Sequence, residues 1–249
     1  MSVADLPASS AEHPATRLLR GIRPVSTRLV RRRWRVEVHH RELVPTTGGV
    51  ILAANHVGII DGPLLAVFAP RPVHVLTKRE MFDGRLGGFL RATGQIPLDR
   101  YAADPAAIRS CLRVLRDGGV AGIFPEGTRG DGELHRFHHG AAYLALVTGL
   151  PVVPVTMIGT RPAGGGSGAL PRRGTTIDIV FGQAWQTTQQ TWPRTREHVA
   201  ATSVLLRGHM LSELGSALSQ TRRSLPGPLP AGQSEDDPDT GLVERSREL

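Results

Sequence analysis

Apolar residues in this chain fall into short unbroken runs separated by stretches with helical spacing. Residues 50–54, 73–77, 120–124, 152–158 and 176–181 read as strands, several of them of the continuous kind found in buried parallel sheets. Residues 35–39 alternate with period two, and Gly48-Gly49 marks a turn. Helical patterns begin at Pro63 and cover 106–116 and 140–148. Asp104-Pro105 supplies an N-cap with proline at the first helical position, and Gly118-Gly119 closes that helix. Residues 195–222 form the longest helical pattern, weakened by Gly208 and Gly215. The alternation predicts an α/β fold, a mostly parallel central sheet covered by helices. In open sheets of this kind ligands sit at the C-terminal ends of strands.

Outside the predicted domain, 35–223, the composition changes. Residues 1–15 are polar with Ala and Pro, and 224–249 turn to Pro, Gly, Ser and acid; both are expected to be disordered. Residues 16–34 carry seven arginines between Leu18, Leu19, Ile22, Val25, Leu29, Val30 and Trp34. Such a basic amphipathic segment can lie in a headgroup layer, and Pro24 should divide it into two short helices. Residues 163–174 read as a flexible glycine-rich loop without the Gly-Lys-Ser/Thr of a phosphate-binding P-loop.

The net charge of +8 suits an anionic surface. With 4% aromatic residues and no nucleic-acid module, the expected surface is a membrane and not nucleic acid. No run approaches the ~20 apolar residues of a membrane span, and no secretory signal is expected. Peripheral attachment at the cytoplasmic face follows as the expectation. The single cysteine, Cys111, fits a reducing compartment and reads as a small apolar position on a helix.

Two polar segments follow predicted strands. Asn55-His56-Val57-Gly58-Ile59-Ile60-Asp61 places a base beside a carboxylate that can orient it, with Gly58 and Gly62 allowing a tight turn. Phe124-Pro125-Glu126-Gly127-Thr128-Arg129 offers an anion site: close backbone approach at Gly127, a hydroxyl on Thr128 and a guanidinium on Arg129. Glu126, acceptor-only when ionised, is expected to hold an arginine or an acceptor hydroxyl. Asn55 is expected to orient its loop, and Pro154 to shape the turn of a strand near the site and not to contact substrate. Lys78 is the one lysine among 30 basic residues, and an ammonium differs from a guanidinium in geometry and hydration.

These segments, with Lys78-Arg79-Glu80-Met81-Phe82, Gly94-Gln95-Ile96-Pro97-Leu98-Asp99-Arg100 and Val153-Pro154-Val155, resemble the four sequence blocks of the glycerolipid acyltransferase superfamily, in the same order. The resemblance implies an enzyme moving a fatty acyl group from acyl-CoA or acyl carrier protein to lysophosphatidate or a related lysophospholipid, with no cofactor or metal. It implies His56 as base, Asp61 as its partner, and Lys78, Arg100, Glu126, Gly127, Thr128 and Arg129 as substrate-binding residues. It leaves open a glycolipid or amino-acid-based acceptor, and a non-catalytic membrane-binding module on the same scaffold. One departure is Phe137-His138-His139-Gly140, where the family commonly has other basic residues. His135 nearby raises zinc, but the sequence completes no metal signature.

Overall fold

The computed structural model describes residues 8–233. The outer parts of both predicted tails, 1–7 and 234–249, lie outside the described residues. The strands are β1 (Arg35–His39), β2 (Val50–Ala54), β3 (Val73–Lys78), β4 (Ile96–Leu98), β5 (Val120–Ile123), β6 (Val152–Ile158) and β7 (Thr176–Phe181). The helices are α1 (Arg17–Arg33), α2 (Asp61–Phe68), α3 (Gly84–Ala92), α4 (Pro105–Arg116), α5 (Gly140–Thr148) and α6 (Arg196–Thr221).

One sheet runs in the order β1-β7-β6-β2-β5-β3-β4. Every neighbouring pair is parallel except β6 with β7, which is antiparallel. The reversal has a spatial consequence. Ile158, at the end of β6, pairs with Asp178 near the start of β7, and Arg35 at the start of β1 pairs with Thr176. The first residues of β1 and β7 therefore lie at the same sheet edge as the last residues of β2, β5 and β6.

Period-two alternation sorts the buried strand residues onto two faces. Val50, Leu52 and Ala54 of β2 join a core with Leu19 of α1 and Leu64, Leu65 and Phe68 of α2. Ile51 and Ala53 face the other way, toward Cys111 and Leu112 of α4, Leu144 of α5, and Leu206 and Met210 of α6. The predicted cap is present: Asp104 accepts from the N–H groups of Ala106 and Ala107. Thr195 caps α6, which runs through Gly208 and Gly215. Cys111 is fully buried, and burial pushes its thiol up to about 12.

Three local expectations are corrected. Pro24 does not divide the basic segment; α1 is one helix. An interior proline costs about 3 kcal/mol, and packing offsets it: Leu19 is buried, and Arg23 donates to the carbonyls of Val67 and Ala69 at the end of α2. Pro154 shapes no turn. It sits inside β6 opposite Ala53, where its carbonyl accepts from Gly182 N at 2.8 Å. The short β4 and the glycine-rich α3 carry too little periodic pattern to have been read from the sequence. Residues 8–15, placed in the N-terminal tail, are irregular chain packed on the domain, with Ser10 N donating to Arg109 O of α4 at 3.1 Å and the His13 ring edge-on to His74 of β3 at 5.3 Å.

Candidate active site

Strand β2 ends in a side chain that extends its own ladder. Asn55 Oδ1 accepts from Met157 N (2.7 Å) while its Nδ2 donates to Met157 O (3.2 Å), so the amide pairs with β6 as a backbone unit would. This orients the loop, as expected for Asn55, and aims the next residue out of the sheet edge. His56 then turns back to α2. Its Nδ1–H donates to Asp61 Oδ2 at 2.8 Å. A carboxylate oxygen only accepts, so the proton resides on Nδ1, leaving Nε2 as the basic nitrogen. Asp61 is fully buried, and the same Oδ2 accepts from the N–H groups of Val57 (2.7 Å) and Gly58 (2.8 Å). One oxygen thus fixes both the imidazole and the turn that carries it.

Gly58 is needed for closeness. A Cβ there would meet the backbone oxygen of Thr160 at 2.5 Å. Gly62 is not needed for the turn: it lies in α2, and a Cβ would find its nearest neighbour at 3.9 Å.

The loop after β5 closes against this turn. The ring of Phe124 stacks on His56 with centroids 4.3 Å apart. Gly130 N donates to His56 O (2.9 Å), and His56 N donates to Glu126 Oε1 (2.8 Å). Glu126 is therefore turned inward, its carboxylate held on backbone and 5% exposed, instead of facing a substrate. Burial pushes its carboxyl well above the usual range, and Asp131 and Asp61 add to this; the N–H groups of His56 and Leu134 oppose it. Gly127, at φ +73°, closes the turn with its N–H on Phe124 O, and Thr128 beside it is buried.

Arg129 is half-buried and donates to Ser167 O (3.2 Å) of the glycine-rich loop. Burial lowers its pKa, Asp61 raises it and Arg100 lowers it, so the two guanidinia and the carboxylate share one neighbourhood. Arg100, beyond the end of β4, donates to Gly127 O at 3.3 Å. Lys78 ends β3, in register with Leu98 of β4, at the same edge. The arrangement brings a base with a fixed tautomer beside two arginines, and can combine proton removal with recognition of an anion.

One residue of this site was missed in the sequence. Arg161 is 2% exposed, and its guanidinium donates to the carbonyls of Val57, Gly130, Gly165 and Gly227. It ties the His56 turn to the loop after β5, to the glycine-rich loop and to the segment after α6. Burial lowers its pKa, while Asp131 and Asp61 favour the charge. The available signal was its place just past the end of β6, another strand that ends at this edge.

The Phe137 to Gly140 departure is structural: Phe137 is in the core and His139 Nδ1 hydrogen-bonds Ser203 Oγ at 2.8 Å. His135 does gain acidic neighbours through the fold, Asp131 at 3.5 Å and Glu133 at 3.0 Å, in a mostly exposed group.

Fold and site together define an α/β acyltransferase: residues 35–158 match the acyltransferase family model, and the chain belongs to that family. Among curated relatives, the 1-acyl-sn-glycerol-3-phosphate acyltransferase of Bacillus subtilis (strain 168) is 32% identical over 126 residues, covering 50% of this chain and 63% of the relative. The protein of the same description from Borreliella burgdorferi is 32% identical over 125 residues, covering 48% and 50%. The chain thus spans less than two thirds of the length of either. The crystal structure of the 1-acyl-sn-glycerophosphate (LPA) acyltransferase PlsC from Thermotoga maritima superposes with a TM-score of 0.61 over 82% of this chain and 79% of that one. At 20% identity it supports the fold, a seven-stranded mostly parallel sheet with helices on both faces.

Proposed function

We propose that the chain transfers a fatty acyl group from acyl-CoA or acyl carrier protein to the free hydroxyl of lysophosphatidate or a related lysophospholipid, at a membrane surface. The observation that carries this reading is the 2.8 Å bond from His56 Nδ1 to Asp61, formed beside the guanidinium of Arg129. His56 Nε2 takes the proton of the acceptor hydroxyl as its oxygen attacks the thioester carbonyl. The new C–O bond forms, the C–S bond breaks, and the imidazolium returns its proton to the departing thiolate. Asp61 holds the ring and stabilises its charged form.

Arg129 and Arg100 hold the acceptor's phosphate, with Lys78, Gly127 and Thr128 around it. Glu126 acts through the backbone of His56. No helix among the described residues is long and apolar enough to cross a membrane, and the basic helix α1 supplies peripheral contact. His56→Ala should lower turnover by about 10²–10⁴-fold, the range for a positioned general base, with the melting temperature preserved. Near-wild-type transfer by that variant removes the base from the mechanism. With a panel of lysolipids, Arg129→Ala should harm phosphorylated acceptors far more than uncharged ones; equal losses would point to a different acceptor.

A further inference from the structure

The reversal of β1 and β7 places a second group of cations at the catalytic edge. Arg31, Arg32 and Arg33 end α1, Arg35 opens β1, and Arg173 comes from the loop between β6 and β7. They line an open cleft of about 510 Å³ in which Glu37 is the sole carboxylate among the lining residues. All five guanidinium side chains belong to exposed residues. The cleft is built by two distant stretches of chain locked together: Trp34 Nε1 donates to Pro171 O (3.0 Å) and Gly174 N to Arg33 O (2.8 Å). Five cations lining one open cleft give it a positive field that favours an anion there. The sheet order sets β1 three strands from β2, so the cleft lies about 15 Å from the His56 strand at ~4.8 Å per strand.

Helix α1 shows what kind of anion fits. Leu18, Val25 and Leu29 are 41%, 63% and 56% exposed. Their spacings of seven and four put them within about 40° of one another on a helix turning 100° per residue. This apolar stripe is bordered by Arg17, Arg28 and Arg32 and runs toward the cleft. A soluble anion has no use for an apolar stripe beside its site. A bilayer supplies both, hydrocarbon at the depth of the stripe and phosphate at the level of the arginines.

We propose that this cluster is a headgroup site for an anionic phospholipid of the bilayer, separate from the acceptor site and at the same edge of the sheet. It rests on the membrane contact in the functional reading above and gives that contact an orientation. The lipid that Arg35 and Arg173 hold is not consumed; it sets the catalytic edge against the surface from which the acceptor arrives.

The test is co-sedimentation of the full chain with phosphatidylcholine vesicles, with and without phosphatidylglycerol. Arg35→Gln/Arg173→Gln should weaken binding to the anionic vesicles about 30-fold, the equivalent of two arginines at ~1 kcal/mol each. Arg109→Gln/Arg196→Gln, which removes the same charge from exposed positions on α4 and α6, should stay within about threefold of wild type, the spread of a weak surface term. Equal loss in both pairs makes this a net-charge effect and overturns the site, as does unchanged binding in the first pair. Tight inorganic phosphate binding by the vesicle-free chain, abolished by Arg35→Gln/Arg173→Gln while vesicle binding persists, reassigns the cluster to a soluble anion. Sedimentation requires no turnover, so an inactive chain would sink the transferase reading and leave this one standing. Failure here would spare the His56 chemistry.

Discussion

Replacing Arg161 by Met should unhinge the catalytic edge without touching a reacting group. The guanidinium donates to four carbonyls from four separate segments, at 2.9 Å to Val57, 2.6 Å to Gly165 and 2.9 Å to Gly130, with Gly227 completing the set. A hydrogen bond to a charged donor is worth about 1.5–3 kcal/mol net, and orphaned buried carbonyls cost about as much again when nothing replaces the donor. Four such bonds do not add in full, because freed loops relax toward water. Measured losses on removing one member of a buried charged network are about 3–5 kcal/mol. In a chain of this size each kcal/mol lowers the melting temperature by about 2–4 °C, so Arg161→Met should melt roughly 6–20 °C below wild type. Arg161→Lys should recover only part, since an ammonium has three donors and no planar fork. Thermal unfolding followed by circular dichroism reads the shift, and acyl transfer below the transition reads the site. A drop under about 2 °C, the size of an ordinary surface substitution, would refute the clamp.

Other outcomes follow from the same geometry. Asp61→Asn keeps the shape of the side chain but presents an amide donor to Nδ1; kcat should fall by about 10⁴-fold through the wrong tautomer, and a loss under tenfold would show that Asp61 does not set the proton's position. Gly58→Ala forces a Cβ to within 2.5 Å of Thr160 O and should cost about 1–3 kcal/mol, whereas Gly62→Ala, in open helix, should be neutral or slightly stabilising. Equal melting temperatures for the two would remove the close approach from the account. Stability should also depend on acid through His74, which is 1% exposed and whose Nδ1 pairs with Gly94 O at 2.6 Å. Burial lowers its pKa, Gly94 O opposes this, and His13 and Arg20 lower it further. A depressed histidine favours the fold above its unfolded value of about 6.5. That contribution is lost as pH falls below 6.5 toward and through the folded value. Urea midpoints between about pH 7.5 and pH 5 should therefore decline more steeply for wild type than for His74→Gln, and parallel declines would place the acid sensitivity elsewhere.

What could be read in the chain beforehand was what is local. His56 and Asp61 are five residues apart, close enough for one strand-to-helix turn to join them, so spacing and residue type pointed to the pair. The buried strands were visible because β2, β5 and β6 are apolar on both faces, and α4 because Asp104-Pro105 caps it. Glu126 was misread as substrate-facing because its partners, His56 N–H and Leu134 N–H, are backbone groups, which no side-chain pattern encodes. Arg161 escaped for the same reason: each of its four acceptors is a carbonyl, and a carbonyl has no residue identity. Pro24 and Pro154 were read by their intrinsic preferences, and packing against α2 and within β6 overrode both.

Reversal at β7 binds these pieces into one surface. Were β7 parallel to β6, its first residue would lie at the far edge of the sheet, and a long crossover would separate Arg173 from Arg129. Because the pair is antiparallel, residues 159–175 stay at the catalytic edge throughout. Along that single loop Arg161 bonds Val57 O, Ser167 O receives Arg129, Pro171 O receives Trp34, and Gly174 N meets Arg33 O. The turn that carries the base and the end of the basic helix are thereby fastened to the same segment. The end of α1 and Arg129 thus share one loop as their hydrogen-bond partner, which ties the position of the basic helix to that of the guanidinium through the 159–175 segment.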